Sequence, residues 1–134
     1  MGRETMWLGE AGAGSKAKLV LNNWLVGLVE SIAETLHFGE ALDLDPTLII
    51  ELLDGAPIGS PYAVAKARQM LAGDFAPSFA LKHALKDADL AVITARNAGL
   101  DLRVTNSFLE TWHRAVTNGR GDEDLSVVFA NDAS

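Results

Sequence analysis

The sequence predicts an all-α fold, a bundle of about five to six helices around two long ones. Three observations lead to this prediction. Apolar residues recur every three or four positions over long stretches, which is typical of amphipathic helices. Glycine-containing breaks at Gly55, Gly73 and Gly99 separate these stretches. Signals for β-strands are absent after the β-prone residues 4–8.

Composition limits the classes of protein and partner. The chain has 134 residues, 49% of them hydrophobic and 22% charged, which is the balance of one globular domain. A net charge of −7 predicts no nucleic-acid partner and no anionic membrane partner. The longest apolar run, residues 24–29, is far shorter than the about 20 residues of a membrane span, and no signal peptide is visible, so we expect a cytoplasmic protein.

The sequence does not predict a metal site. It contains no cysteine, which excludes disulfides and thiolate ligands. Its three histidines, His37, His83 and His113, do not have the spacing of metal ligands.

The first long helix is expected from an N-cap at Ser15 to about Glu40. Val20 and Trp24 widen its apolar face so far that we expect burial on nearly all sides. The residues predicted to form this face are Leu21, Leu25, Leu28, Ile32 and Leu36.

Two shorter helices follow. Asp45 and Pro46 form a helix start, and Gly55 ends that helix. Its inward side chains are predicted to be Leu48, Ile49, Leu52 and Leu53. The next helix covers residues 62–71, and Gly73 stops it.

The second long helix is predicted to start at Pro77 or Ser78 and to reach about Ala98. Its core stripe is expected at Leu81, Leu85, Ala88, Val92 and Ala95. Another amphipathic helix covers residues 102–117, with Phe108, Leu109, Trp112 and Val116 on one side. Asn118 and Gly119 stop it, and Asp122 caps a last short helix that runs to Phe129.

Residues 9–23, GEAGAGSKAKLVLNN, are the part of the sequence richest in functional signals. Gly9 and Gly14 have the outer spacing of a phosphate-binding loop, but Ser15 occupies the position of its lysine. A dinucleotide fingerprint has the order GxGxxG, whereas this stretch has GxxGxG and no surrounding βαβ unit. A plain glycine turn into a helix is the third interpretation, and spacing alone favours it. Lys18 and Asn22 lie one helical turn apart and therefore share a face.

Three motifs in order resemble the C-terminal domain of the β-hydroxyacid dehydrogenases, the 3-hydroxyisobutyrate dehydrogenase-like enzymes related to 6-phosphogluconate dehydrogenase. The first motif is the glycine stretch with Lys18 and Asn22. The second contains Phe79 and ends with Lys86 and Asp87. The third is GDEDLS at residues 121–126, similar to the segment before the family's last helix.

The resemblance implies a function and a set of site residues. Lys18 is implied as the catalytic residue, and Asn22 with the backbone of Gly12 and Gly14 as the substrate-binding group. Lys86 and Phe79 are implied to bind the cofactor, NAD or NADP. For Lys18 to act as a base near neutral pH its pKa must fall, and we expect burial beside Leu19 and Val20 to lower it.

The family's nucleotide-binding Rossmann domain has no counterpart in the sequence. We therefore expect residues 1–8 to be a remnant of a linker or last strand, and residues 9–134 to be the helical substrate and dimerisation domain. We expect the isolated chain to be inactive. The wide apolar surface of the first helix predicts a homodimer. The alternative class is a helical interaction module without chemistry.

Overall fold

The computed structural model describes residues 13–130 of the chain, and this part contains helices, turns and one isolated bridge between Ala80 and Asp124. The predicted all-α fold is confirmed. Its α-helices are α1 (Ala13–Ala41), α2 (Pro46–Leu53), α3 (Pro61–Ala72), α4 (Leu81–Asn97) and α5 (Arg103–Ala115). A π-helical turn (Val116–Arg120) and a 3-10 helix (Leu125–Phe129) complete the described chain. No helix in these 118 residues (13–130) is long and apolar enough to span a bilayer.

Helix α1 is the central element and contacts every other α-helix. It begins at Ala13, so Ser15 lies inside the helix and the predicted N-cap at Ser15 is wrong. The residues of α1 that are buried in the core are Val26, Val29, Ile32, Ala33 and Leu36.

The first half of α1 is much more exposed than the sequence suggested. Val20, Leu21 and Trp24 are 67%, 61% and 66% exposed, so the expected burial on nearly all sides is wrong for this part of the helix. The buried residues of α1 begin at Val26, so the other helices pack mainly on its later turns.

Helices α2 and α3 begin as their capping residues predict. Asp45 accepts a hydrogen bond from the backbone N–H of Thr47, and Pro46 occupies the first position of α2. The inward residues of α2 are Ile49, Ile50 and Leu53. Leu48 and Leu52, which we expected to face inward, are exposed.

Helix α4 begins at Leu81, three or four residues later than the predicted start at Ser78 or Pro77. Pro77 and Ser78 do not start it, because this part of the backbone is hydrogen-bonded to residues 121–125. Ser78 N and Phe79 N both donate to Asp124 Oδ1 at 3.1 Å. Leu81 N donates to Glu123 O at 2.8 Å, and Lys82 N donates to Gly121 O at 2.9 Å. Within α4 the predicted stripe is buried at Leu81, Leu85, Ala88 and Val92 and half-buried at Ala95.

The end of the chain folds over α4 and α1. Phe108 and Trp112 are buried in α5 as predicted, with ring centroids 5.0 Å apart. Asp124 caps the final 3-10 helix by accepting from Ser126 N. The predicted cap, Asp122, is exposed and instead pairs with Lys82 at 2.6 Å.

Two polar contacts set the register of α1 against α5. Thr105 Oγ1 donates to Asn23 Oδ1 at 2.6 Å, and Trp112 Nε1 donates to Glu30 Oε1 at 2.7 Å. Both pairs are separated by 82 residues in sequence, so the two helices run in the same direction. Buried polar groups require partners, and these contacts supply them.

Candidate functional site

Lys18 and Asn22 both lie in the first half of α1, one turn apart as predicted. The Lys18 side chain is exposed, whereas Asn22 is half-buried. Residues four apart on a helix differ by only about 40° in direction, so an ammonium and a carboxamide share this face. The expected burial of Lys18 beside Leu19 and Val20 is wrong for this chain, since Val20 is also exposed.

A hydrogen bond joins the first two sequence motifs. Asn22 Nδ2 in α1 donates to Asp87 Oδ2 in α4 at 3.0 Å. An amide has two donors and one acceptor oxygen, so this bond leaves part of the Asn22 carboxamide available to a ligand. The part of α1 that carries Asn22 and the Lys86–Asp87 segment, 65 residues apart at this contact, are therefore in contact.

Asp87 belongs to the candidate site through its bond to Asn22, and the sequence alone did not predict it. For the pair Lys86–Asp87, the resemblance implies a functional role for Lys86 alone. Consecutive helical residues point about 100° apart, so when Asp87 faces α1 the Lys86 side chain points elsewhere, and it is exposed. The signal for Asp87 in the sequence is its position directly after Lys86 in the second motif.

Asn23 is directed to a different neighbour from Asn22. It accepts from Thr105, a residue only 2% exposed, in the contact that fixes α1 against α5. Of the two adjacent asparagines, Asn22 therefore belongs to the candidate site, and Asn23 belongs to the contact between α1 and α5.

The two predicted substrate-binding glycines have different outcomes. Gly12 lies outside the described residues. Gly14 is part of the first turn of α1 and half-buried, so it is helical where we expected a loop. The backbone N–H groups of a first helical turn have no partner within the helix and favour a negative charge nearby.

Phe79, predicted to bind the cofactor, is half-buried at the edge of the core just before α4. Its backbone N–H donates to Asp124 Oδ1 at 3.1 Å, and its carbonyl accepts from Leu125 N at 2.9 Å. The second and third sequence motifs are thus in direct contact as well.

Asp124 is the most strongly bonded acid of the described chain. It is fully buried and forms an ion pair of 2.8 Å with Lys66 Nζ. Burial alone would raise the pKa of Asp124, but hydrogen bonds from Lys66, Ser126 and Phe79 outweigh it and hold this pKa well below its usual value. Tyr62, whose ring centroid is 5.4 Å from Lys66 Nζ, has its pKa raised to about 12 by burial and by the charge of Asp124.

An open groove of about 520 Å³ lies between α1 and the start of α5. It is lined by Asn23, Trp24, Gly27, Leu28, Ser31 and residues 100–105. Lys18, Asn22 and Asp87 are not among its lining residues, so the groove and the lysine–asparagine face are separate features.

Two of the three histidines, His37 and His113, make contacts with other residues of the chain. His37 Nε2 lies 2.9 Å from Phe129 O, and its ring stacks on that of Phe129. His113 Nε2 lies 3.0 Å from Asp89 Oδ1 on the surface. Between residues 13 and 130, no cluster of three or more histidine, aspartate or glutamate side chains could hold a metal ion.

Comparisons with known proteins agree with the motif resemblance. Glyoxylate/succinic semialdehyde reductase 2, chloroplastic, from Arabidopsis thaliana is 30% identical over 96% of this chain, which covers 36% of that protein. Reductase 1 from the same plant is 27% identical over 96% of this chain and 45% of its own length. The cytokine-like nuclear factor N-PAC of Drosophila melanogaster is 29% identical over 95% of this chain and 21% of its own length.

A solved structure has the same fold. The crystal structure of 3-hydroxyisobutyrate dehydrogenase from Salmonella typhimurium superposes with a TM-score of 0.79 at 24% identity, over 88% of this chain and 41% of that one. The chain thus spans less than half of each of these four proteins. Residues 12–130 match the family described as "NAD-binding of NADP-dependent 3-hydroxyisobutyrate dehydrogenase". The chain belongs to this family.

Proposed function

We propose that this chain is the helical C-terminal domain of an NAD(P)-dependent 3-hydroxyacid oxidoreductase, with Lys18 as its general acid/base. The observation that supports this proposal best is the Asn22–Asp87 hydrogen bond, because it joins the lysine motif of α1 to the second motif in α4. An exposed ammonium next to this paired carboxamide is suited to a small hydroxy acid.

The chemistry is the reversible oxidation of a hydroxyl-bearing carbon to a carbonyl. NAD(P), when bound, would supply the hydride acceptor for that carbon. Lys18 Nζ takes the hydroxyl proton in the oxidising direction and returns it in the reducing direction. Asn22 orients the substrate oxygens, and Asp87 holds the Asn22 carboxamide in place. The backbone N–H groups of Gly12 and Gly14 bind the substrate carboxylate.

Lys86 in α4 and Phe79 just before that helix fit a dinucleotide in part. Lys86 presents an exposed ammonium for a phosphate, and Phe79 offers a half-buried aromatic ring. Residues 13–130 contain no βαβ unit, so we assign most of the dinucleotide site to a second, nucleotide-binding domain. Residues 1–8 are proposed as the connection to that domain. Burial of Lys18, which the isolated chain does not provide, is then expected from the same domain.

The experiment joins this chain to a nucleotide-binding domain of a relative and follows NAD(P)H absorbance with a panel of small 3-hydroxy acids and semialdehydes. We expect Lys18→Ala to lower kcat by about 10²–10⁴-fold. Lys16→Ala is the matched control, because Lys16 is an exposed lysine of the same helix that points about 200° away. Equal activity of the two variants would remove Lys18 from the mechanism. The isolated 134-residue chain should show no turnover.

We also propose that the chain forms a homodimer through the first half of α1. Val20, Leu21 and Trp24 expose apolar surface there, beside the apolar groove. Soluble monomers rarely leave large apolar patches in water, and two-fold association is the commonest way to cover one. Light scattering at micromolar concentration should give twice the chain mass of 14.3 kDa, and Trp24→Glu should halve that value. A mass of 14.3 kDa for the parent chain would refute the dimer.

The second candidate function is a helical interaction module without chemistry. The similarity to N-PAC, a protein named as a nuclear factor, and the exposed apolar residues of α1 favour it. The joined protein distinguishes the two candidates, because a module predicts no turnover with any member of the panel.

A further inference from the structure

The buried carboxylate of Asp124 uses its two oxygens for two different tasks. Oδ2 accepts from Lys66 Nζ at 2.8 Å, which forms the ion pair. Oδ2 also accepts from Ser126 Oγ at 2.6 Å and from Ser126 N at 3.1 Å, and the bond from Ser126 N caps the 3-10 helix. Oδ1 accepts from Ser78 N, Ser78 Oγ and Phe79 N, each at 3.1 Å. All contacts of Oδ1 are therefore with the connection between α3 and α4.

Backbone hydrogen bonds hold the same connection on both sides of Asp124. Asp124 N donates to Phe75 O at 2.9 Å, and Leu125 N donates to Phe79 O at 2.9 Å. These two bonds fix the ends of the five-residue stretch 75–79, and Asp124 Oδ1 binds its last two residues. The position of Phe79 is consequently determined by the GDEDLS segment, 45 residues later in the chain.

We propose that Asp124 is a positioning residue, whose Oδ1 places Phe79 and the start of α4 for cofactor binding. The inference rests on the proposed function, which assigns Phe79 to the cofactor. Asp124 acts on the site only through Phe79 and through α4, the helix whose Asp87 bonds Asn22 in α1.

The division between the two oxygens makes positioning separable from stability. Lys66 reaches only Oδ2 of the carboxylate, so the ion pair can be removed while an acceptor is kept at the Oδ1 position. Asparagine keeps a carbonyl oxygen for Ser78 and Phe79, whereas leucine has nearly the same shape and no acceptor.

The test compares Lys66→Met/Asp124→Asn with Lys66→Met/Asp124→Leu. Both variants lack the buried ion pair and differ in the acceptor for the two amides. In the 134-residue chain we expect the Phe79 amide to exchange about tenfold faster with solvent in the leucine variant than in the asparagine variant. The amide of Leu36, deep in α1, should exchange equally in both and reports global opening.

The second readout is kinetic and uses the chain joined to a nucleotide-binding domain. The leucine variant should raise KM for the dinucleotide about tenfold relative to the asparagine variant, with a smaller change in kcat. Asp122→Asn is the control for charge in the same segment, because Asp122 is exposed and should leave both constants unchanged.

The outcomes separate this inference from the proposed function. Equal Phe79 exchange in the two double variants would overturn the positioning role, whatever the activity. Faster Phe79 exchange with an unchanged KM would overturn the link to cofactor binding. A joined parent protein without dehydrogenase activity would refute the proposed function, and with it the link to the cofactor, while amide exchange still decides whether Oδ1 holds Phe79.

Discussion

Replacing Lys66 by methionine tests what the buried ion pair contributes to stability. Lys66 is only 3% exposed and Asp124 is fully buried, so the variant leaves a carboxylate in the core without its ammonium. Methionine keeps much of the length and volume of the lysine stem, so the core should remain filled. The lost contacts are the ion pair and the 3.1 Å bond from Lys66 Nζ to Ser78 Oγ.

The expected loss is large. Removing one partner of a buried pair costs about 3–5 kcal/mol, because the other charge stays buried and uncompensated. Unfolding entropy of about 2.1 cal/mol/K per residue gives about 0.28 kcal/mol/K for the 134 residues, so Tm should fall by about 11–18 °C. Arg68→Met is the matched control, since Arg68 lies in the same helix as Lys66 and its pair with Asp54 is more than half exposed and should contribute at most about 1 kcal/mol.

The assay is thermal unfolding followed by circular dichroism across a pH series. The pKa of Asp124 is lowered in the folded chain, so the contribution of its charged form is complete above the usual value of 3.8. It is lost as the pH falls below 3.8 toward the lowered value. The gap between parent and Lys66→Met should therefore be widest near neutral pH and should narrow in acid. A gap under about 1 kcal/mol at pH 7 would refute this reasoning.

Three further variants change side chains of α1. Burial raises the pKa of Glu30, so its charged form costs stability at neutral pH, and the group favours the fold fully only below its usual value of 4.5. Glu30→Gln keeps an acceptor for Trp112 Nε1 and should unfold at pH 7 no more easily than the parent, with any gain shrinking in acid; a Tm several degrees lower would contradict this. In the joined protein, Asn22→Ala should lower kcat and kcat/KM together, since a misplaced substrate loses transition-state contacts. Asn23→Ala should mainly lower Tm, because its partner is the buried Thr105. If Asn22→Ala lowered only Tm and Asn23→Ala lowered only kcat and kcat/KM, the assignment of Asn22 to the substrate would be wrong.

Local signals predicted the helices of this chain well, and their ends less well. Asp45 before Pro46 and Gly73 after α3 act as the cap and the stop that the sequence indicates, because both work within one turn of backbone. The start of α4 could not be predicted in this way. Ser78 is a good capping residue, but its N–H and hydroxyl are bound by Asp124, 46 residues away.

Periodicity predicts which residues are apolar on a face, and it does not say what covers that face. Leu21 in α1 and Leu52 in α2 fit the helical repeat as well as Ile32 does, yet only Ile32 is buried. The same limit applies to the candidate site. Spacing placed Lys18 and Asn22 on one face, while the partner of Asn22, Asp87, depends on how α4 docks on α1.

The shared separation of 82 residues between α1 and α5 has a consequence for the order of folding. A ribosome adds about 5–20 residues per second, so Asn23 and Glu30 emerge several seconds before Thr105 and Trp112. Through that interval the side of α1 that later receives Trp112 remains uncovered. Contacts so distant in sequence also slow folding, because the loop between them must close before they form. A nascent chain that stops before α5 therefore presents this side of α1 to chaperones.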